Sequence, residues 1–225
     1  MASMTRDELV ERLVAHHAWN YEHGPGGPLD LGGADLRGLD LSGLDLSSVE
    51  LWDADLSDAD LSGSDLSRCP LGGAKLVNAS LQRVDLYRAE NGEAADFTGA
   101  DLRDARLFRA EFPGASFVGA RLTGAILSDA LLQGADLTRA NLTDAVFAYG
   151  ALDNAVADGL VATGARGSVS VTQRLMVEGR RVPALAELAA AGADVHETVP
   201  NGEDLDHVRT WLEQFGFHRH KGEQS

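Results

Sequence analysis

Leucine recurs at every fifth position from Leu31 to Leu86, and after a shift of one residue leucine or phenylalanine recurs at every fifth position from Phe97 to Leu152. A five-residue period fits neither the 3.6-residue turn of an α-helix nor plain strand alternation, and a fixed internal repeat sets the architecture before local propensity does. Two residues before the large apolar residue stands a small one. In the first run these are Ala34, Ala54, Ala59, Ser64, Cys69, Ala74 and Ala79, and in the second alanine holds every such place from Ala95 to Ala145. Two inward residues flanking one outward residue make a single step of strand alternation. The rest of the period must turn the chain, so four repeats close a square coil and the chain reads as a solenoid.

The units read Ala-Asp-Leu-Ser-Asp at 54–58, Ala-Asp-Leu-Ser-Gly at 59–63, Ala-Asp-Leu-Arg-Asp at 100–104 and Ala-Asn-Leu-Thr-Asp at 140–144. On these motifs, residues 29–166 resemble the bacterial pentapeptide-repeat family. The resemblance implies an all-β solenoid: a right-handed quadrilateral β-helix with leucine or phenylalanine and alanine stacked inside. Twelve centres in each run, four to a coil, make about six coils. The expected organisation is an N-terminal capping helix and Gly/Pro linker at 1–28, the β-helix at 29–166, and an α-helical C-terminal extension at 167–225.

Departures from the pattern carry information. Leu39, Leu44 and Val49 fill small-residue positions, which predicts a wider or less regular first coil. The phase change falls within residues 89–96, where Asn91-Gly92 favours positive φ, so a bulge or short projecting loop is expected. Residues 6–19 place Leu9, Leu13, Val14 and Trp19 near one helical face, with Thr5 and Glu8 spaced as a capping box. Gly24-Pro25-Gly26-Gly27-Pro28 then breaks the helix. His16, His17 and His23 lack cysteine or carboxylate partners at metal-ligand spacing, so no metal and no cofactor is expected. Cys69 occupies an alanine position and reads as a buried thiol.

Beyond residue 166 the period fails. Val169 and Val171 suggest a last strand, continuing through Leu175 and Val177 across a Glu178-Gly179 turn. Pro183 is expected to open a helix running to residue 191, with Leu185 and Leu188 on one face, and a second helix is expected over 203–215, with Leu205, Val208, Trp211, Leu212 and Phe215. A solenoid leaves backbone groups and apolar interior open at its end. The tail therefore either caps this chain or pairs with a second copy, and the resemblance implies a homodimer through the C-terminal region.

The formal net charge of −16 is unevenly spread. Residues 30–65 hold ten acids against one base, Arg37. Residues twenty apart should stack about 4.8 Å apart, building acidic columns from Asp35, Asp40, Asp45, Asp55, Asp60, Asp65 and Asp85. Two coils span about 10 Å and carry a net −9 by that count, which matches or exceeds the one charge per about 1.7 Å of duplex DNA. Further on, Arg83, Arg88, Arg103, Arg106, Arg109 and Arg121 dilute the acids, and a neutral face forms around Phe108, Ile126, Leu131 and Val146.

Two readings follow. The resemblance implies an acidic DNA mimic that engages DNA gyrase or topoisomerase IV and modulates or protects it from poisons such as quinolones. The alternative is a non-catalytic scaffold with an unrelated protein partner, in which aspartate merely bonds turn backbone and keeps the sheet soluble. No phosphate loop, nucleophile elbow or repeat-borne histidine suggests an enzyme. Direct nucleic-acid binding is disfavoured by the sign of the charge. No apolar run reaches the roughly 18 residues of a membrane span, and no secretory pattern opens the chain, so a cytoplasmic protein is expected.

Overall fold

The computed structural model describes residues 4–22, 27–90, 94–152, 155–170, 174–177, 180–183 and 194–198. Parallel β-bridges stack the repeats. One ladder runs through Asp35, Asp55, Lys75, Asp96, Ser116, Asp136 and Val156, and another through Asp40, Asp60, Ser80, Asp101, Arg121, Asn141 and Val161. Partners are twenty residues apart up to Pro70–Glu90, twenty-one apart from Lys75–Asp96 to Glu90–Glu111, and twenty again from Asp96–Ser116. The extra residue is thus absorbed between Glu90 and Asp96, inside the predicted segment. The expected projection falls on residues 91–93, outside the described residues.

Each repeat turns through a residue in the left-handed region two places after its central leucine, with φ near 60° at Ser48, Asp53 and Asp58 as at Gly33 and Gly38. The N–H of the central residue and that of the left-handed residue both donate to the next coil, as in Leu36 to Asp55 (2.8 Å) and Gly38 to Ser57 (3.0 Å). The outward residue donates backward, as from Asp55 to Ala34 (2.9 Å). Leucine, phenylalanine and alanine fill the interior with essentially no exposure, and Cys69 lies among them with its Sγ–H on the Leu46 carbonyl (3.0 Å). Burial pushes this thiol's pKa up, so it stays protonated. Phe97, Phe112 and Phe117 form the bulkiest part of the core. Phe97 and Phe117 stack in parallel at 4.8 Å, with Phe112 edge-on to Phe97 at 5.1 Å.

The first coil makes the same inter-coil bonds as later ones, such as Leu41 N–H to Asp60 (2.7 Å), while its turn bonds at Leu39 and Leu44 are longer (3.3 Å each, against 3.1 Å at Ala54). Leu39 and Leu44 are only partly buried because no coil lies beneath them. The helix α1 (Arg6–Glu22) lies there instead. Its capping box is present: Thr5 N–H donates to Glu8 Oε2 (2.8 Å) and Glu8 N–H to Thr5 Oγ1 (3.3 Å). The buried stripe is Leu9, Leu13 and His16, while Val14 is 67% exposed and Trp19 is half-buried. Positions 9, 13 and 16 follow the helical period, and Val14 is a further 100° round.

The coil adjacent to α1 points backbone carbonyls into empty space unless side chains meet them. Arg12 donates to the Asp30 carbonyl (3.1 Å), and Arg6 to those of Asp40 and Ser42. His17 donates to Asp45 (2.8 Å) and His16 Nε2–H to Ser47 (2.8 Å). His16 Nδ1 also accepts from Leu29 N–H (3.0 Å), which fixes the neutral ring with its proton on Nε2. His16→Ala strands a buried carbonyl and a buried N–H, each worth about 1–3 kcal/mol. We expect a thermal transition lowered by several degrees; an unchanged melting temperature would mean that water replaces the ring.

Past residue 145 one part of the coil lengthens into strands, while isolated bridges carry two ladders on to Val156 and Val161. β1 (Val146–Ala151) pairs in parallel with β2 (Arg166–Ser170), with a bulge between Ala148 and Gly150. β3 (Arg174–Val177) and β4 (Arg180–Pro183) pair antiparallel; the expected turn at 178–179 lies outside the described residues. β5 (Asp194–Thr198) then joins β2 in parallel, with Arg166 opposite Asp194. This strand was not anticipated. Pro183 closes β4, where a helix was expected to open. Residues 184–193 and 199–225 lie outside the described residues, and with them Leu185, Leu188, Leu205, Val208, Trp211, Leu212 and Phe215. Among the described residues no helix is long and apolar enough to cross a membrane.

Candidate functional site

The predicted acidic columns exist as geometry. Bridges join Asp35 to Asp55, Asp40 to Asp60, and Asp45 to Asp65 to Asp85. They end at Lys75, Ser80 and Arg106, so each is short and near the N-terminal end.

Every one of these carboxylates has a local task. Oδ1 accepts the backbone N–H two residues on: Arg37 on Asp35 (3.3 Å), Ser42 on Asp40 (3.0 Å), Ser47 on Asp45 (3.0 Å), Ser57 on Asp55 (3.1 Å), Ser62 on Asp60 (2.9 Å), Ser67 on Asp65 (2.8 Å) and Tyr87 on Asp85 (2.9 Å). These are Asx turns, which explain why aspartate recurs at this place. Asn141 makes the same bond to Thr143 N–H (2.9 Å), so the geometry needs a carbonyl-type oxygen and no charge.

Counter-ions inside the chain neutralise much of the surface. Arg37 pairs with Asp35 (2.8 Å) and reaches Asp55 (3.8 Å), Arg6 pairs with Asp40 (2.9 Å), and Arg106 pairs with Asp85 (2.9 Å). Tyr21 O–H donates to Asp45 Oδ2 (3.1 Å). The Arg37 side chain, followed by its N–H, holds Asp35 down to about 2. Ser42 does the main lowering at Asp40, and Ser57 at Asp55. At Asp45 burial pulls upward but the Ser47 and Tyr21 bonds outweigh it. Asp60 and Asp65 have no ion pair among the described residues. With Glu50, Asp53 and Asp58 they keep the second coil strongly negative.

Sequence reasoning missed one organised charge cluster. Asp101 is buried, 6% exposed, and holds Arg103 through Nε on Oδ1 (2.8 Å) and Nη2 on Oδ2 (2.7 Å), while Arg121 Nη2 reaches Oδ2 (2.6 Å) from the next coil. The three residues were visible only as interleaved charges; the twenty-residue offset from Asp101 to Arg121 was the available signal. Of the predicted neutral face, Ile126 and Val146 share a ladder and Ile126 is 39% exposed, but Phe108 is stacked on Tyr87 (5.8 Å). No group of three or more His, Cys, Asp and Glu is arranged to hold a metal among the described residues.

The family description "Pentapeptide repeats" matches residues 30–63, 93–129 and 125–156, in eight copies. A pentapeptide repeat protein from the Arabidopsis thaliana thylakoid lumen is 32% identical, over 49% of this chain and 69% of its own, with a TM-score of 0.23. HetL, involved in heterocyst differentiation regulation in the cyanobacterium Nostoc sp. Strain PCC 7120, is 23% identical over 86% of this chain and 94% of its own, with a TM-score of 0.33. Full-length QnrB1, a plasmid-mediated fluoroquinolone resistance protein, is 16% identical over 84% and 98%, with a TM-score of 0.34. No curated protein matches the chain in sequence.

Proposed function

We propose a function from one premise: the chain belongs to the pentapeptide-repeat family. Repeats of this family wind right-handed β-helices, generally as non-enzymatic structural or interaction proteins. This member is read as a cytoplasmic, non-catalytic binding rod whose acidic N-terminal columns occupy a cationic protein groove built for duplex DNA. The groove of a type II topoisomerase, DNA gyrase or topoisomerase IV, is the intended partner, and occupation would shield that enzyme from quinolone-type poisons. The segment 167–225 would cap the rod or join two copies.

The observation that supports this reading is the second coil. Asp60 and Asp65 stack on Asp40 and Asp45 at the ladder spacing and lack counter-ions of their own among the described residues. Closely spaced unpaired carboxylates on a narrow rod present a field that a cationic groove recognises and that salt screens.

The test replaces Asp40, Asp45, Asp60 and Asp65 together by asparagine. Asn141 shows that asparagine keeps the turn, so the variant loses charge while keeping its fold. In a gyrase supercoiling assay with and without a fluoroquinolone, the parent protein should inhibit or protect at micromolar levels or below, and the variant should be at least about tenfold weaker. No effect of the parent on gyrase or topoisomerase IV, or equal potency of the variant, would remove the proposal. A scaffold bound through the neutral face is the second reading, supported by Ile126 and Val161, 39% and 45% exposed in neighbouring ladders.

A further inference from the structure

Three of the four corner columns mix glycine with other residues at the left-handed position; Gly33, Gly73 and Gly114 represent one of them, Gly38 and Gly99 the second, and Gly43, Gly63 and Gly124 the third. The fourth has no glycine among the described residues. It reads Ser48, Arg68, Arg88, Arg109 and Asp129, with φ of 60°, 54° and 57° at the three arginines. Arginine gains nothing from positive φ, and three like charges on successive rungs repel one another. Arg83 and Arg139 are left-handed in other columns, but only here among the described residues do left-handed arginines follow one another on successive rungs, the pattern expected of a surface kept for use.

The surroundings define what it fits. The shallow groove along this corner is lined by the three arginines, by Glu90, Glu111 and Asp129, and by Leu131. Glu90 and Glu111 are consecutive rungs of the adjoining ladder, which ends in Leu131. Although the two columns are neighbours, no ion pair joins Arg68, Arg88 or Arg109 to either glutamate among the described residues. Arg109 instead approaches Asp129 (3.5 Å), and the guanidinium carbons of Arg88 and Arg109 lie 5.4 and 5.1 Å from the ring centres of Tyr87 and Phe108. The rings hold the arginines in place without neutralising them.

A broad polyanion would meet the glutamates as well as the arginines. A column of carboxylates at the same rung spacing, set one stripe aside, meets only arginine. The chain itself carries that column. Rotation of a second copy about a two-fold axis parallel to the solenoid reverses the two stripes while keeping each rung level with its equal. Arg88 then faces the second copy's Glu90, Arg109 faces its Glu111, the reciprocal pairs form by symmetry, and one rung further Leu131 faces its Asp129. We propose that this corner is a side-by-side self-association surface for a second copy of the chain, separate from any pairing through residues 167–225. Long-range repulsion between two chains of charge −16 is screened at about 0.15 M ionic strength, whereas contact pairs persist.

The experiment measures solution mass by sedimentation equilibrium near physiological salt for the full chain, for R88E/R109E, for E90R/E111R and for their equimolar mixture. The parent should show a concentration-dependent doubling, from 23.8 kDa or from any dimer formed elsewhere. Each variant should lose that doubling, a twofold drop in limiting mass, and the mixture should recover it because an all-glutamate face then meets an all-arginine one. All four side chains are exposed, and recovery in the mixture excludes misfolding as the cause of loss. A parent without the doubling, variants that retain it, or a mixture that fails to restore it would each overturn the proposal.

Discussion

Phe117→Ala is expected to lower the unfolding free energy by about 3–5 kcal/mol. The ring is fully buried, stacked on Phe97 at 4.8 Å one coil away, and edge-on to Phe112 at 6.2 Å. Stacked and edge-on pairs add about 0.5–1.5 kcal/mol beyond the area they remove from water. The backbone around the ring is held by inter-coil bonds, such as Phe117 N–H to Asp136 (2.7 Å), so it cannot collapse into the space left behind. Because each coil touches only its neighbours, a deep cavity in the middle also threatens cooperativity. Urea unfolding followed by circular dichroism would check both effects through the midpoint and the slope. A cost below about 1.5 kcal/mol would show that Phe97 and Phe112 repack to fill the gap.

Asp101→Ala should rank next, at about 3 kcal/mol, near the lower end for breaking a buried ion pair because both arginine partners are half in solvent. It leaves Arg103 and Arg121 facing each other without an anion. Burial opposes the charge on Asp101, but the Arg103 bonds and the Arg121 charge prevail and hold its carboxyl below the ordinary range. The sign follows directly. A carboxyl with a lowered folded value contributes its full stability above its unfolded value of about 3.9 and loses it as the pH falls through the folded one. The gap in stability between the parent and Asp101→Asn should therefore be wide at neutral pH and close in strong acid. A gap independent of pH would assign the effect to packing.

The repeat was legible because one face of every residue pair is forced inward, so Leu31 through Leu86 and Phe97 through Leu152 declare the core by spacing alone. The acidic columns were legible for the same reason, since residues twenty apart must stack. What the spacing does not encode is the partner of each charge. The carboxylate of Asp35 looks free in sequence and is clasped by Arg37; Asp45 looks free and is bound by Tyr21 across the first coil. Arg6, Arg12, His16 and His17 read only as mixed polarity on a helix, because the carbonyls they bond have no residue-specific trace. β5 escaped notice because its parallel pairing with β2 leaps over the intervening hairpin, and Val195 is its only strongly strand-forming apolar residue.

The arrangement of α1 against the first coil has a consequence for synthesis. The helix and its four basic side chains leave the ribosome before the coil they cover, so the first coil closes onto a surface that already exists. Every later coil finds the acceptors and donors of its predecessor waiting, and at about 5–20 residues per second a new one arrives every one to four seconds. Assembly can thus proceed in the direction of translation without the long-range search that slows other parallel sheets, and a ribosome-bound chain ending anywhere after the first coil already carries a finished end.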